Sequence, residues 1–304
     1  MAQYLVIPKL CIHNANAMSS GYTIGFPAMT AWMGAVHALE RKIQGYAGLE
    51  NVQMLKTGIS CHDCDMQLYK GKGDYKFSII GTANPLKLAN KSGDAERPAF
   101  IEEARCHLKV TLVIEMAGVD ASTEQNFISA CKEELARLKI AGGDIDQDIG
   151  QKKIYVLYDT MEGCFKKIIK AMMPGYVLVS RKDLMLKDVN ADTLDNLLNV
   201  LKVQCEYQGI KDGKAQWHKE KLIPDGWLVP IVVGFKALTG DVQVANQRSQ
   251  EYEHHFAEPL VTAGEFVMPY QFGFVDEFMW KYAYDEDSGC YLCVNEYNAD
   301  DDEI

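Results

Sequence analysis

The chain has 304 residues, of which 48% are apolar and 10% aromatic, so it can build the core of one or two domains. No run approaches the roughly 20 unbroken apolar residues of a membrane span, and the first residues do not resemble a signal peptide. Nine cysteines, an odd number at irregular spacing, are typical of reduced thiols, so we expect a cytoplasmic protein. The formal net charge of −11 argues against a generally basic nucleic-acid-binding protein.

The first half of the chain alternates strand and helix patterns. Apolar and β-branched runs predict strands at 4–12, 52–61, 107–116 and 153–158, and helical spacing predicts a helix at 29–43. Ser122 is expected to cap a second helix, with Gln125 at the capping-box spacing. The order β-α-β-β-α-β predicts an α+β, ferredoxin-like (RNA-recognition-motif-like) RNA-binding domain over residues 1–160.

The second half is less regular. Patterns indicate helices at about 161–172 and 191–202, strand-like runs at 176–180, 227–235 and 259–272, and a hairpin around 278–294. We therefore assign residues 161–283 to an irregular helical and β appendage that completes the fold. Residues 284–304 form a predicted acidic C-terminal segment, and residues 84–98 form a predicted long polar loop.

Charge is unevenly distributed along the sequence. Residues 284–304 hold eight acidic residues and no Lys or Arg, and without them 31 basic residues face 34 acidic ones. The opposite bias occurs at 161–187, which contains Lys166, Lys167, Lys170, Arg181, Lys182 and Lys187. Such a cluster could contact phosphates or could be a solvated helix face, and the sequence leaves both alternatives open.

Two polar segments are candidates for ligand contact. Residues 13–27 are rich in Asn, Ser and Gly and are expected to form a loop before the first helix, where an anion or polynucleotide backbone could approach closely. An ordinary capping loop is the alternative. In the second segment, residues 234–248, two amides and a guanidinium follow one another and could read base edges and hold a phosphate. The candidate RNA-binding residues are Asn14, Asn16, Ser19, Ser20, Arg181, Lys236, Asn246, Gln247 and Arg248.

Motifs for catalysis or metal binding are weak. The pairs Cys61/Cys64 and Cys290/Cys293 have Cys-x-x-Cys spacing, but they are far apart and their intervening residues differ. The sequence has no phosphate-binding Gly-x-x-x-x-Gly-Lys motif, no Gly-x-Ser-x-Gly and no His-Glu-x-x-His. We therefore expect no metal, no cofactor and no catalytic residues.

Several short segments together resemble one known family. They are Ile-His-Asn-Ala-Asn-Ala-Met-Ser-Ser at 12–20, Gly-Phe-Pro at 25–27, Val-His-Ala-Leu at 36–39, Ser-Cys-His-Asp at 60–63, Pro-Gly-Tyr-Val-Leu-Val-Ser-Arg at 174–181, Gly-Trp-Leu-Val-Pro-Ile at 226–231 and Val-Ala-Asn-Gln-Arg at 244–248. In this order, over nearly the whole chain, they closely resemble the Csy-two proteins, subunits of type I-F CRISPR effectors.

The resemblance implies a non-catalytic subunit of a CRISPR RNA-guided surveillance complex (a Csy complex, or Cascade) in antiviral defense. Its expected partners are the 5′ handle of the CRISPR guide RNA, the large Csy-one subunit and the backbone Csy-three subunit, with no membrane involved. Two other classes stay open. One is a metal-independent endoribonuclease that processes CRISPR repeat RNA, and the other is a small-molecule enzyme that uses the thiols.

Overall fold

The computed structural model describes residues 2–80, 103–160, 163–185, 192–221, 226–240, 242–247, 249, 251–252 and 254–297, and the backbone of residues 87–88 and 95–96. Most of the polar loop predicted over residues 84–98 therefore lies outside the described residues.

The strands are β1 (Gln3–Asn16), β2 (Met18–Ser20), β3 (Thr23–Ile24), β4 (Gln53–Met66), β5 (Leu68–Tyr69), β6 (Ser78–Ile79), β7 (Lys87–Leu88), β8 (Ala95–Glu96), β9 (Arg105–Ala117), β10 (Lys139–Ile140), β11 (Gly143–Ile145), β12 (Tyr155–Tyr158), β13 (Tyr176–Ser180), β14 (Val203–Lys211), β15 (Lys214–Lys221), β16 (Leu228–Ala237), β17 (Ala257–Val267), β18 (Trp280–Asp285) and β19 (Cys290–Asn295). The α-helices are α1 (Met29–Ile43), α2 (Glu124–Leu135), α3 (Cys164–Met172), α4 (Lys182–Met185) and α5 (Thr193–Leu201).

One antiparallel sheet of eleven strands organises the molecule. Its order is β10-β11-β1-β9-β4-β13-β17-β16-β19-β18, and β12 pairs with β1. In addition, β18 pairs with β4 through Trp280 opposite Thr57, which closes a ring of six strands: β4, β13, β17, β16, β19 and β18. Strands from both halves of the sequence therefore share one hydrogen-bonded sheet.

The predicted ferredoxin-like α+β fold is wrong. Among the residues that the structure describes, 45% lie in strands and 23% in helices, so the fold is mostly β. The reason is that β4 is not an edge strand, because its second edge pairs with β13 and β18. Strands that the sequence assigned to an irregular appendage thus extend the sheet of the first half, and a local pattern cannot report such long-range pairing.

Both faces of the central strands are covered. Along β1, Leu5 and Ile7 belong to the core cluster that includes residues of α1 and α2, whereas Tyr4 and Val6 belong to the cluster that includes residues of α3. Successive side chains of a strand point to opposite faces. A strand buried on both faces is apolar at nearly every position, which explains why residues 4–12 of β1 are apolar except for the exposed Lys9.

Two predicted local features differ from the structure. Helix α2 begins at Glu124 without a side-chain cap, so Ser122 does not cap it. Instead the carboxylate of Asp120 accepts hydrogen bonds from the backbone N–H groups of Ser122 (2.9 Å) and Thr123 (3.1 Å), because an Asp side chain readily closes such a turn. The start of the acidic segment is also structured, since β18 ends at Asp285 and β19 at Asn295 within the large sheet.

The described helices are short. None of them combines the length and the apolar character that crossing a membrane requires.

Candidate nucleic-acid interface

The polar segment predicted as a loop is instead the end of a strand and a small hairpin. Strand β1 continues to Asn16, and β2 then pairs with β3. A bulge between Ile12 and Ala15 interrupts the β1–β9 ladder, and within it Asn14 has a φ of 57°. Asn tolerates this left-handed conformation better than most residues, which explains a polar residue inside the strand.

Asn14 and Asn16 present free donors at this strand end. The Asn14 side-chain oxygen accepts from Gln67 Nε2 at 2.6 Å, and Arg105 Nη1 donates to the Asn14 carbonyl at 3.1 Å. The Asn16 side-chain oxygen accepts from the Met18 N–H at 2.9 Å. Within the described part of the chain, neither amide NH₂ group has a hydrogen-bond partner, and both side chains are exposed. Both can therefore donate to a ligand.

Ser19 and Ser20 hold the hairpin together. Their hydroxyls lie 3.1 Å and 2.5 Å from the hydroxyl of Thr23, and Ser20 is buried. These two hydroxyls therefore shape the segment from inside, which leaves the amides of Asn14 and Asn16 as its available donors.

An aromatic cleft of about 400 Å³ opens beside this hairpin. We call it the aromatic cleft, and it is lined by Ile24, Gly25, Phe26, Cys61, His62, Asp63, Cys64, Tyr176, Trp227, Val229, Pro230 and Phe266. Segments that are far apart in sequence meet here, and four of the short segments that carry the family resemblance contribute to the lining. A cleft of this size and mixed character is typical of small-ligand or single-base sites.

A chain of aromatic rings forms one wall of the aromatic cleft. The Trp227 ring centroid lies 5.1 Å from that of Tyr176 and 5.2 Å from that of Phe266. Phe266 in turn contacts Phe26 at 5.5 Å, which stacks on the buried Trp32. Trp227 keeps 53% of its surface exposed and Tyr176 36%, so an anchored ring is available for a planar ligand.

The polar side of the cleft contains His62 and Asp63, at a bulge between Cys61 and Asp63 in β4. His62 Nε2 lies 2.7 Å from the Thr111 hydroxyl, which also accepts from the Lys9 N–H (3.1 Å) and donates to the Ala171 carbonyl (3.3 Å). Since a hydroxyl has one proton, this network assigns the proton of a neutral His62 to Nε2. Burial, together with the positive charges of Lys9 and Lys109, lowers the pKa of His62.

The lowered pKa makes stability depend on pH. Unfolded His62 binds a proton below about pH 6.5, whereas the folded protein resists this, so stability is full above that pH and falls as the pH decreases. We expect Tm to fall less between pH 7.5 and pH 5.5 in His62→Gln than in the wild type. The variant His218→Gln, on an exposed strand, is the control and should behave as the wild type. Equal falls in Tm in all three proteins would contradict the assignment.

Arg181 lies in a different environment from the one expected for an RNA contact. It is buried, and its Nε and Nη2 donate to the Asp183 carboxylate at 3.1 Å and 3.0 Å. Nη1 donates to Glu265. A phosphate would have to displace these carboxylates, so the geometry favours a role of Arg181 in the fold.

The second polar segment is only partly described. Lys236 is exposed on β16, and Asn246 is exposed with a φ of 66°. The Gln247 side chain closes its own loop, since its Nε2 donates to the carbonyls of Ser249 (2.5 Å) and Tyr252 (2.9 Å). Arg248 lies outside the described residues. Of the described candidates in this segment, Lys236, Asn246 and Gln247 do not line the aromatic cleft.

The sequence analysis did not predict the exposed hairpin that β14 and β15 form. Strands β14 and β15 pair only with each other, and their side chains are almost all exposed. Tyr207 and Trp217 contact each other edge to face across the hairpin at 5.4 Å, with more than half of each ring's surface open. The Asp212-Gly213 turn between two runs of β-forming residues was the available signal. We call this element the hairpin arm.

The cysteine pairs lie on strands β4 and β19. In β19, Cys293 is buried and Cys290 is half-buried. In the ranges that the structure describes, no three side chains of His, Cys, Asp or Glu come together in a way that could hold a metal ion.

Comparison with known proteins shows that this chain is a CRISPR-associated protein. Residues 5–293 match a family model described as CRISPR-associated protein (Cas_Csy2). The chain is also similar to CRISPR-associated protein Csy2 of Pseudomonas aeruginosa (strain UCBPP-PA14), with 30% identity over 317 aligned residues that cover 94% of this chain and 93% of the relative. The chain therefore belongs to the Csy2 family, and the resemblance found in its sequence is confirmed.

Proposed function

We propose that this chain is a non-catalytic subunit of a type I-F CRISPR surveillance complex in the cytoplasm. It binds the 5′ handle of the guide RNA and joins the large Csy-one subunit to the backbone formed by Csy-three. The observation that supports RNA binding is the aromatic cleft, where Trp227 offers an anchored, half-exposed ring beside polar groups.

The chemistry of the cleft suits one unstacked base. A base can stack on Trp227, while the exposed carboxylate of Asp63 can accept from the exocyclic amine or ring N–H of that base. Asn14 and Asn16 add amide donors at the end of β1. Reading bases with rings and amides needs no overall positive charge, so a net charge of −11 is compatible with this function.

The hairpin arm is the surface that we assign to a partner subunit. An isolated two-stranded hairpin is at best marginally stable in water, and this one exposes Tyr207, Ile210 and Trp217. Exposed apolar side chains concentrated on one projecting element are typical of a protein contact site. The partner therefore buries the arm when the complex assembles, and the chain alone associates nonspecifically.

Co-purification tests the proposed function. The full chain, tagged and expressed in cells that carry the CRISPR locus, is expected to bring down guide RNA together with Csy-one and Csy-three. The same subunits assembled in cells without a CRISPR array, and therefore free of guide RNA, should bind RNA with the correct handle more tightly than RNA with a scrambled handle at fixed salt. Recovery of the chain without RNA, or equal affinity for the two RNAs, would refute the proposal.

RNA cleavage is a second candidate, because two histidines lie together at the end of β1. The rings of His13 and His107 contact edge to face at 5.4 Å, and Asp146 lies 3.8 Å from His13. Two imidazoles could act as general acid and general base without a metal.

We expect no such activity. Purified complex incubated with repeat RNA in EDTA should leave the RNA intact, and His13→Asn and His107→Asn should leave guide RNA ends in cells unchanged. The control is His37→Asn, because His37 lies on α1, whereas His13 and His107 lie on β1 and β9. Cleavage of the repeat RNA by the wild-type complex in EDTA, together with loss of this cleavage in His13→Asn or His107→Asn, would establish the nuclease.

A further inference from the structure

A second cleft has a volume of about 700 Å³. It is enclosed by β1, by α3, and by β12 together with the nearby Lys153. Four lysines line it, and we call it the lysine groove: Lys9, Lys153, Lys167 and Lys170. All four are exposed. Its apolar lining consists of Pro8, Tyr155, Leu157, Ala171 and Met173. The sequence indicated a basic cluster around α3, but not that Lys9 and Lys153 join it.

The backbone explains how these lysines converge. Lys9 occupies a bulge between Ile7 and Leu10 with a φ of 50°, and Lys152 Nζ donates to its carbonyl at 2.9 Å. Lys167 and Lys170 are three residues apart on α3 and so lie on one helix face.

These charges are not neutralised within the described part of the chain. None of the four groove lysines forms an ion pair there, whereas the neighbouring Lys152 pairs with Asp148 at 3.3 Å. In a chain with a net charge of −11, four unpaired lysines in one concave surface concentrate positive potential locally. The ligand class that fits is a polyanion.

The lysine groove adjoins the aromatic cleft. The Thr111 hydroxyl connects the two, because it contacts His62 of the cleft, the Lys9 N–H, and the carbonyl of Ala171 on the groove wall. Lys9 and Lys109 are also close enough to His62 to lower its pKa. Thr111 itself is buried, so the linings of the two clefts lie on either side of one hydrogen-bonded side chain, a separation that neighbouring nucleotides of one strand can span.

We propose that the lysine groove binds the phosphodiester backbone of a single-stranded nucleic acid, continuing the strand whose base occupies the aromatic cleft. Stacking surfaces beside a row of unpaired cations are the combination that binds single strands. The identity of this strand as guide RNA rests on the proposed function; the affinity of the groove for a phosphodiester chain does not.

The test uses the full chain assembled with its partner subunits in cells that lack a CRISPR array, so that no guide RNA fills the groove. A 12-nucleotide oligouridylate and the DNA oligonucleotide of equal length are titrated at several salt concentrations. The variant replaces Lys153, Lys167 and Lys170 by Gln. For single strands, the slope of log affinity against log salt changes by about 0.7 per phosphate contact, so losing three contacts should reduce the slope by about two. The matched control replaces Lys42, Lys139 and Lys281 by Gln, which removes the same charge from lysines already paired with carboxylates.

The outcomes separate the two proposals. A reduced slope for both oligonucleotides in the groove variant and an unchanged slope in the control support the groove, since lysines that contact phosphates act alike on RNA and DNA. An unchanged slope in the folded groove variant, or no binding of either oligonucleotide by the wild type, overturns the groove. If the groove variant has a reduced slope but the wild type does not prefer the correct handle, the groove binds phosphodiester chains and the proposed recognition of the handle is refuted.

Discussion

Replacing Arg181 with alanine is expected to lower the free energy of unfolding by about 3–5 kcal/mol. Removing one partner from a buried ion pair leaves the other charge buried and unpaired, which is among the most destabilising single changes. Here the Glu265 side chain is only 14% exposed and would lose the guanidinium that it contacts. Denaturant titration of the full chain measures the effect directly.

Two variants make this prediction specific. Arg137→Ala removes an exposed arginine that pairs with Glu133 at 3.1 Å, and it should cost less than about 1 kcal/mol. The double variant Arg181→Met, Glu265→Gln should recover part of the loss, since no unpaired charge remains at Glu265. If Arg181→Ala folds with wild-type stability but binds all RNAs more weakly, then Arg181 contacts phosphate as its sequence context suggested.

Replacing Trp227 with alanine is expected to weaken binding of the guide RNA handle by between about fivefold and a hundredfold. Stacking of one base on an aromatic side chain contributes about 1–3 kcal/mol, and 1.4 kcal/mol corresponds to tenfold. Because Trp227 is half exposed, the same change should have little effect on the stability of the fold. The measurement is a titration of the complex assembled without guide RNA against handle RNA at fixed salt.

The controls for Trp227 separate stacking from loss of packing. Trp227→Phe keeps an aromatic face and should retain most of the affinity. Tyr284→Ala removes a ring from β18 that is 64% exposed and lies outside the aromatic cleft, and this variant should bind as the wild type does. Wild-type affinity in a folded Trp227→Ala complex would exclude this cleft as a base-binding site.

In the proposed function, the aromatic cleft and the lysine groove contribute to nucleic-acid binding in different ways. The aromatic cleft contains the groups that can distinguish a base, and the lysine groove contains charges that attract any phosphodiester chain. Sequence-independent backbone contacts position a nucleic acid, whereas contacts to base edges specify it. Variants of Trp227 should therefore change affinity with little change in salt dependence, and variants of the groove lysines should change the salt dependence itself.

Local patterns in the sequence determined most individual elements of the first half. The strand predicted over 107–116 is β9, which runs from Arg105 to Ala117, and the apolar stripe of 29–43 is α1. Both succeed because hydrophobic periodicity is a local property. The set of short segments between residues 12 and 248 also sufficed to identify the family. Composition further indicated that 161–187 is locally basic.

Only the tertiary structure decided which of these elements meet. The pairing of β4 with β13 and β18, which turns two predicted units into one sheet, depends on edges that no local pattern describes. The same holds for Arg181, whose neighbour Glu265 is distant in sequence, and for Lys9 and Lys153, which join α3 only through the sheet. Residue type sets what a side chain can bind, but long-range strand pairing sets which charges are already satisfied and which remain free for a ligand.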